Sequence, residues 1–343
     1  MTGLATELAY AGRSPEGSRL VSEQMALLES IGDPTLTVGL AMVAFANWSD
    51  SGEFGQLLRW SQTVIDLAAG DPAKGAGFGV GSPLAIALAW RGTARWWLGR
   101  PGWRQDLHDA VAMARHSDPS TFGVVVTWTY GPAITYGVLR ADDSAVRAIE
   151  EAVQIAERAS DDAALSVAKY GLGGALLIRD AAADRDRGLE LMVQARDVWL
   201  RKQVALQMVP ATELWAGRER ARRGDHDAAI TLMRNVVDEL HQAGRLPYGV
   251  WGTGLLVETL LERGAEGDLA EAQEAIGRLA NLRADQGWAM LEITLLRLRA
   301  LLARARGDDV AYRELIGRYR AMAESLGFEG HIAWAEAMIE GGE

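Results

Sequence analysis

Apolar side chains recur along this chain at the three- and four-residue spacing of amphipathic helices. In the segment 225–244, one face is formed by Ala229, Ile230, Met233, Val236, Val237 and Leu240. The same spacing predicts further helices over 250–263, 269–282, 288–306 and 310–326. Period-two alternation is scarce, and its best run, 124–127, lies inside a segment of helical length. The pattern therefore predicts an all-α fold.

Short turns recur between these helices at a regular interval. Gly-Asp or a related turn lies at residues 12, 52, 99–102, 142, 184, 224, 267 and 307, so most intervals are 40 to 43 residues. The longer interval contains a glycine-rich stretch, 70–82, which indicates an inserted loop. A fixed period of two helices is typical of an α-solenoid. We predict about eight helix pairs and a capping helix, 330–339, in one array over 1–343.

The turns also resemble those of the tetratricopeptide repeat. When Gly224 and Asp225 are aligned with the turn of that repeat, Gly217 falls on the glycine of its helix A. Ala229 and Met233 fall on the small and the bulky positions of its helix B. The period here is longer than the repeat's, so the resemblance implies a tetratricopeptide-like solenoid. In such solenoids the A helices line a concave groove that binds peptides or small ligands.

The composition limits the function classes. The chain has 343 residues and a formal net charge of −11, which argues against nucleic-acid binding by a broad basic face. It has no cysteine, which excludes thiolate nucleophiles and Cys-ligated zinc. No basic cluster followed by an apolar run opens the chain, and no segment approaches the roughly 18 apolar residues of a membrane span. We therefore expect a cytoplasmic protein with no membrane or nucleic-acid partner.

No sequence motif indicates a reaction. No two of the five histidines have the i, i+4 spacing of a helical metal site, and no G-x-S-x-G elbow is present. The glycine-rich run 75–82 fits neither the P-loop nor the dinucleotide fingerprint. We interpret it as a loop, with a phosphate-binding loop as the alternative, because 81–83 begins a helix. The basic run 218–223 and Arg297 are interpreted as solvated helix surface. We predict a non-enzyme without cofactor or metal.

The tryptophans give the one clue to a binding site. Nine lie on A helices, namely Trp48, Trp90, Trp96, Trp97, Trp128, Trp215, Trp251, Trp288 and Trp334. Only Trp60, Trp103 and Trp199 lie on or at the start of B helices. Such rings carry much of the binding energy at interfaces, although packing within a repeat would also explain them. The candidate groove contacts for a protein partner or small effector are the central members Trp96, Trp97, Trp128, Tyr136, Tyr170, Trp215 and Trp251.

The last third of the chain resembles a more specific family. The runs 295–308 (LLRLRALLARARGD) and 325–337 (SLGFEGHIAWAEA) are similar to the C-terminal region of actinobacterial, especially mycobacterial, signalling proteins. The segments 187–191 and 255–268 look similar to that region too. Those proteins carry a class III adenylate/guanylate cyclase domain, a P-loop ATPase domain and a long helical-repeat region. The resemblance implies a role in cyclase-linked signalling, although the cyclase and ATPase motifs are absent from this chain.

We therefore interpret the chain as a non-catalytic scaffold or regulatory module that binds a partner protein or a small effector. One alternative is a C-terminal fragment of an adenylate/guanylate cyclase whose catalytic domains lie upstream of Met1, since 2–11 is short for a full first helix. Another alternative is the ligand-sensing solenoid of a transcriptional regulator. The upstream reading frame would test the first alternative, and tryptophan fluorescence with added metabolites would test the second.

Overall fold

The protein is described here by a computed structural model that covers residues 2–11, 13–78, 80–282 and 287–340. These residues form α-helices and one short 3-10 helix, with no strand among them. The helices of the first half are α1 (Thr2–Tyr10), α2 (Ser14–Ile31), α3 (Pro34–Ser51), α4 (Phe54–Ala68), α5 (Pro83–Trp97), α6 (Trp103–Ala114), α7 (Pro119–Thr135), α8 (Asp143–Ala159) and α9 (Asp162–Ile178).

The second half continues the same succession of helices. It comprises α10 (Ala182–Lys202), the 3-10 helix Leu206–Met208, α11 (Val209–Arg222), α12 (His226–Gln242), α13 (Leu246–Arg263), α14 (Asp268–Ala280), α15 (Ala289–Ala305), α16 (Asp309–Leu326) and α17 (Glu329–Glu340). Taken two at a time, α1 to α16 form eight pairs, and α17 remains as the last helix. The predicted all-α solenoid of eight pairs with a final helix is confirmed. In each pair the odd-numbered helix is the A helix.

The apolar face predicted within 225–244 is the buried face of α12. Each of its six predicted side chains is at most 2% exposed. Helix periodicity alone places these side chains on one side, and burial of that side against α11 and α13 stabilises the helix. Most buried apolar side chains form one cluster that runs from Ala5 to Met338, and Ala195, Trp199 and Met208 form a second, smaller one.

Side-chain caps define several helix starts. Asp142 accepts hydrogen bonds from the amides of Ser144 (2.9 Å) and Ala145 (2.8 Å) at the start of α8. Asp308 accepts from the amide of Ala311 (3.0 Å) at the start of α16. Such bonds satisfy amides that have no partner within the helix. Gly307 precedes Asp308 with a φ of 72°, a left-handed conformation that favours glycine.

A buried ion pair joins α3, in the second helix pair, to the start of α13, in the seventh pair. Arg245, between α12 and α13, donates from Nη2 to Oδ1 of Asp50 in α3 at 2.8 Å and from Nε to both carboxylate oxygens at 3.0 Å. The Ser14 hydroxyl of α2 donates to the same carboxylate at 2.5 Å. The guanidinium also stacks over the ring of Tyr248 at 4.5 Å. Residues 195 positions apart in sequence are thereby joined.

Aromatic packing extends this contact along the interior. The Trp97 ring of α5 lies 4.5 Å from Phe54 in a stacked arrangement and 5.4 Å from Trp288 edge to face. Gly52 allows the Trp288 ring to approach, because a Cβ at position 52 would lie 2.5 Å from it. Rings from α4, α5 and the start of α15 therefore fill the inside of the first half of the array, where an open groove would otherwise run.

The last helix contacts the end of α7. The amide of Glu329 donates to the carbonyl of Val138 at 3.0 Å, and the amide of His331 donates to that of Gly137 at 2.9 Å. A Cβ on Gly330 would lie 2.8 Å from the Cα of Gly137, so the two backbones touch. The array is thus closed by contacts of α3 with α13, of α5 with α15 and of α17 with the residues after α7.

The inserted glycine-rich segment 70–82 joins α4 to α5, and residue 79 lies outside the described residues. Its turn packs on α3, since a Cβ on Gly39 would lie 2.7 Å from the carbonyl oxygen of Gly75. The amide of Gly81 donates to Asp118 Oδ2 at 3.0 Å and to Thr121 Oγ1 at 2.9 Å. The Asp118 carboxylate therefore occupies the position that a phosphate would take if this segment were a phosphate-binding loop.

Candidate functional site

A cavity of about 260 Å³ lies where the A helices from α7 to α15 converge with the last helix, α17. Its walls come from α7, α9, α11, α13, α15 and α17, and among the described residues no B helix contributes to it. Asp180 and the Arg222 side chain, which is 30% exposed, lie on the solvent side. His331, 2% exposed, lies on the buried side. The cavity is the space left inside the closed array.

An ionic network forms one wall of the cavity. Arg218 donates to both oxygens of Glu262 at 2.7 and 2.8 Å and lies 3.7 Å from Glu258. Arg297 donates to Glu258 at 2.7 Å. Burial raises the pKa of Glu258, but the Arg297 and Arg218 cations outweigh this and hold the pKa below its ordinary value. Glu258 is therefore an ionised carboxylate shared by two guanidinium groups.

Arg222 has fewer anionic contacts than its neighbours. Its Nη1 donates to the carbonyl oxygen of Leu177 at 2.6 Å, and its nearest carboxylate, Glu219, lies 3.8 Å away. Glu219 is shared with Arg223 at 3.1 Å and Arg185 at 3.4 Å. Burial and the neighbouring Arg218 cation lower the pKa of Arg222. The cation of Arg222 is thus the least neutralised of the three that line the cavity.

Aromatic rings form the other walls. Trp215 of α11 and Trp251 of α13 lie 5.0 Å apart at an interplanar angle of 55°. Trp334 of α17 packs under the guanidinium of Arg297, whose carbon lies 4.7 Å from the ring centre. This contact is a cation–π interaction, which fixes the Arg297 head group beside the cavity.

His331 adds a neutral polar group to the buried side. Its Nδ1 lies 2.8 Å from the hydroxyl of Tyr319, and its ring packs edge to face on Trp334 at 4.9 Å. Burial, together with the nearby Arg297 cation, lowers the pKa of His331 to about 3. The imidazole is therefore uncharged at neutral pH.

Two buried donors on the cavity wall have no hydrogen-bond acceptor among the described residues. They are Nε1 of Trp215 and Nε of Arg297; Nε2 of His331, whose role depends on the tautomer, likewise has no partner among these residues. Leaving a buried donor without an acceptor costs about 1–3 kcal/mol. Both groups would gain an acceptor from a molecule bound in the cavity.

Gly254 of α13 gives the cavity part of its volume. The residue is buried and lines the cavity, yet a Cβ built on it meets no atom within 4 Å. A larger side chain at this position would therefore extend into empty space.

The structure divides the seven predicted contacts into two groups. Tyr136, Trp215 and Trp251 line the cavity. The other four lie outside it. Trp96 stacks on Trp97 at 5.3 Å, Trp128 packs on Trp90 at 5.5 Å, and Tyr170 packs on Trp199 at 5.6 Å. Trp96 and Trp97 are buried between helices, whereas Trp128 and Tyr170 are half-buried.

The sequence did not reveal the basic residues of the cavity. The interpretation as solvated surface is wrong for Arg218 and Arg297, whose side chains are 12% and 19% exposed. A signal was present, because Trp215, Arg218 and Arg222 have the i, i+3, i+7 spacing of one helical face. The acidic partners come from other helices, so their pairing is not visible in sequence.

The described residues contain no group of three or more His, Asp or Glu side chains that could hold a metal ion. Within the same part of the chain, none of the helices has the length and apolar character needed to cross a bilayer.

Comparison with known proteins finds similarity in fold but not in sequence. No protein-family model matches the chain, and no curated protein matches it in sequence. Among solved structures, the chain is similar to a Rap protein complexed with competence and sporulation factor, with a TM-score of 0.57 and 12% identity. The match covers 99% of this chain and 95% of that chain. The likeness therefore spans almost the whole array, and the chain has the fold of an all-α helical-repeat solenoid.

Proposed function

We propose that this chain is a non-catalytic regulatory module that binds a partner or small effector in the cavity bounded by α7, α9, α11, α13, α15 and α17. The main support is the cavity itself, in which three guanidinium groups, four aromatic rings and two buried donors without acceptors meet. Aromatic and arginine side chains are typical of binding sites. The fold likeness to a Rap protein complexed with competence and sporulation factor supports a binding role on this scaffold.

A variant that fills the cavity tests this proposal. In Gly254→Leu the new Cβ meets no atom within 4 Å, and the side chain extends from it into the cavity. The matched control is Gly317→Leu, at an exposed glycine of α16 where a Cβ also meets nothing within 4 Å. The protein would be incubated with the small-molecule and peptide fraction of its native cells and examined by native mass spectrometry. We expect a bound species with the wild type and the control that is lost with Gly254→Leu.

Tryptophan fluorescence gives a second readout of the same binding. Trp215, Trp251 and Trp334 line the cavity, so a bound molecule changes their surroundings. A flat fluorescence response to all fractions, or a bound species that Gly254→Leu retains, would contradict the proposal.

The link to nucleotide cyclase and ATPase modules is the finer part of the proposal. It rests on the resemblance of 295–308 and 325–337 to the helical-repeat region of actinobacterial cyclase-containing proteins. Under it, ligand binding in the cavity would change the activity of a cyclase encoded on the same or a separate chain. Cyclase or ATPase turnover by this chain alone would contradict its non-catalytic role.

A further inference from the structure

The charges around the cavity indicate the chemical class of its ligand. Arg218 has a two-bond contact with Glu262, and Arg297 has a direct bond with Glu258. Arg222 donates to a backbone carbonyl oxygen. Its nearest carboxylate, that of Glu219, lies 3.8 Å away and is shared with two other arginines. An arginine that is 30% exposed, points to no carboxylate of its own and lines a cavity is suited to bind a ligand oxyanion.

The donors on the wall point to the same class. Trp215 Nε1 and Arg297 Nε are donors only, and both are buried without an acceptor among the described residues. A guanidinium and an indole cannot accept hydrogen bonds, so a ligand must bring the acceptors. The carboxylate of Glu258 is already engaged by two cations, so it offers little to a cationic ligand.

The size of the cavity limits the ligand to a compact molecule. A volume of about 260 Å³ lies near the lower end of the range of about 300–1,000 Å³ that is typical of small-molecule sites. The apolar and aromatic walls, including Trp251, Val250 and Met290, suit a planar or apolar body.

Resting on the proposed function, we infer that the cavity binds a small organic anion, whose carboxylate or phosphate contacts Arg222 and whose apolar body packs against Trp251. The charged group enters at the solvent side, where Arg222 lies, and the body occupies the buried side.

A set of shape-matched probes tests the charge requirement. Benzoate, phenyl phosphate, benzamide and benzamidine would be titrated at millimolar concentration by calorimetry and tryptophan fluorescence. We expect the two anions to bind at least roughly tenfold more tightly than the neutral and cationic probes, since charge-assisted bonds are worth more than neutral ones. The stronger of the two anions identifies the oxyanion. Equal binding of benzamide or benzamidine would overturn the inference.

Variants assign the binding to this site. Arg222→Met should weaken the anion roughly tenfold or more and remove the salt dependence of its affinity. The matched control, Arg220→Met, lies on the exposed side of the same helix and should leave the affinity unchanged. Circular dichroism would check that both variants fold. Unchanged anion affinity in Arg222→Met would overturn the inference.

Two peptides test whether the oxyanion belongs to a peptide or to a free metabolite. A tetrapeptide ending in phenylalanine would be compared with its C-terminal amide. If the free-acid peptide binds more tightly than benzoate, the anion is the end of a peptide. If neither peptide binds while benzoate or phenyl phosphate does, the anion belongs to a free metabolite. Either outcome supports an anionic ligand. If no probe binds while a species from cell extract binds the wild type and not Gly254→Leu, the anion inference fails and the proposed function stands.

Discussion

Replacing Arg245 by methionine removes the cation that joins the start of α13 to α3. Arg245 is 2% exposed, and its partner Asp50 is nearly as buried. Methionine keeps an unbranched stem of similar shape but has no donor. In the variant Arg245→Met the Asp50 carboxylate stays buried and keeps the hydrogen bond from the Ser14 hydroxyl but has lost its counter-ion.

The magnitude follows from this burial. Removing one partner of a buried ion pair typically costs about 3–5 kcal/mol, because the remaining charge has lost its counter-ion. Here the variant also loses the donor to the Gln207 carbonyl and the stacking over Tyr248. We therefore expect a loss of unfolding free energy toward the upper end of that range.

Urea unfolding followed by circular dichroism measures this loss. The double variant Arg245→Met with Asp50→Leu should recover much of it, since replacing both ions by apolar groups is often neutral. The matched control is Arg320→Met, which breaks an exposed i, i+4 pair with Glu324 and should cost at most about 0.5 kcal/mol. If Arg245→Met lowered the free energy of unfolding as little as the control does, this would refute the view that the buried pair stabilises the contact between α3 and α13.

Two further predictions concern α17 and the glycines. Because the folded pKa of His331 is lowered to about 3 from 6.5, the unfolded chain takes up the proton first as the pH falls. From pH 7 to pH 5 the free energy of unfolding of the wild type should fall by roughly 2 kcal/mol because of this group, and His331→Gln should not show that fall. If urea unfolding had the same pH dependence in both proteins, the imidazole would not be buried as described. Gly330→Ala should lower the melting temperature, because its Cβ would lie 2.8 Å from the backbone of Gly137, whereas Gly277→Ala, with open space around it, should raise stability by up to about 1 kcal/mol. Melting temperatures that move in the same direction would contradict the close approach of α17.

The helices and their pairing could be predicted because the information is local. The apolar face of α12 follows from a 3.6-residue period, and every predicted member is buried. The eight pairs follow from turns at a constant interval, which neighbouring repeats alone determine. The prediction of the candidate site was less complete, because tryptophans that line a cavity and tryptophans that fill a core share the same positions on A helices. Trp97 and Trp251 look alike in sequence, yet one packs between Phe54 and Trp288 and the other borders the cavity.

By itself, then, the sequence determined an all-α array of helix pairs, its period and the side of each helix that is buried. Only the tertiary structure decided that the array closes, so that rings from α4, α5 and the start of α15 fill one part of its interior and a cavity remains between α7 and α17. The physical reason is that closure depends on small rotations summed over many repeats and on contacts such as Arg245 with Asp50, 195 residues apart. The same closure brings Arg222, Arg297 and Trp251 from three helices to one cavity.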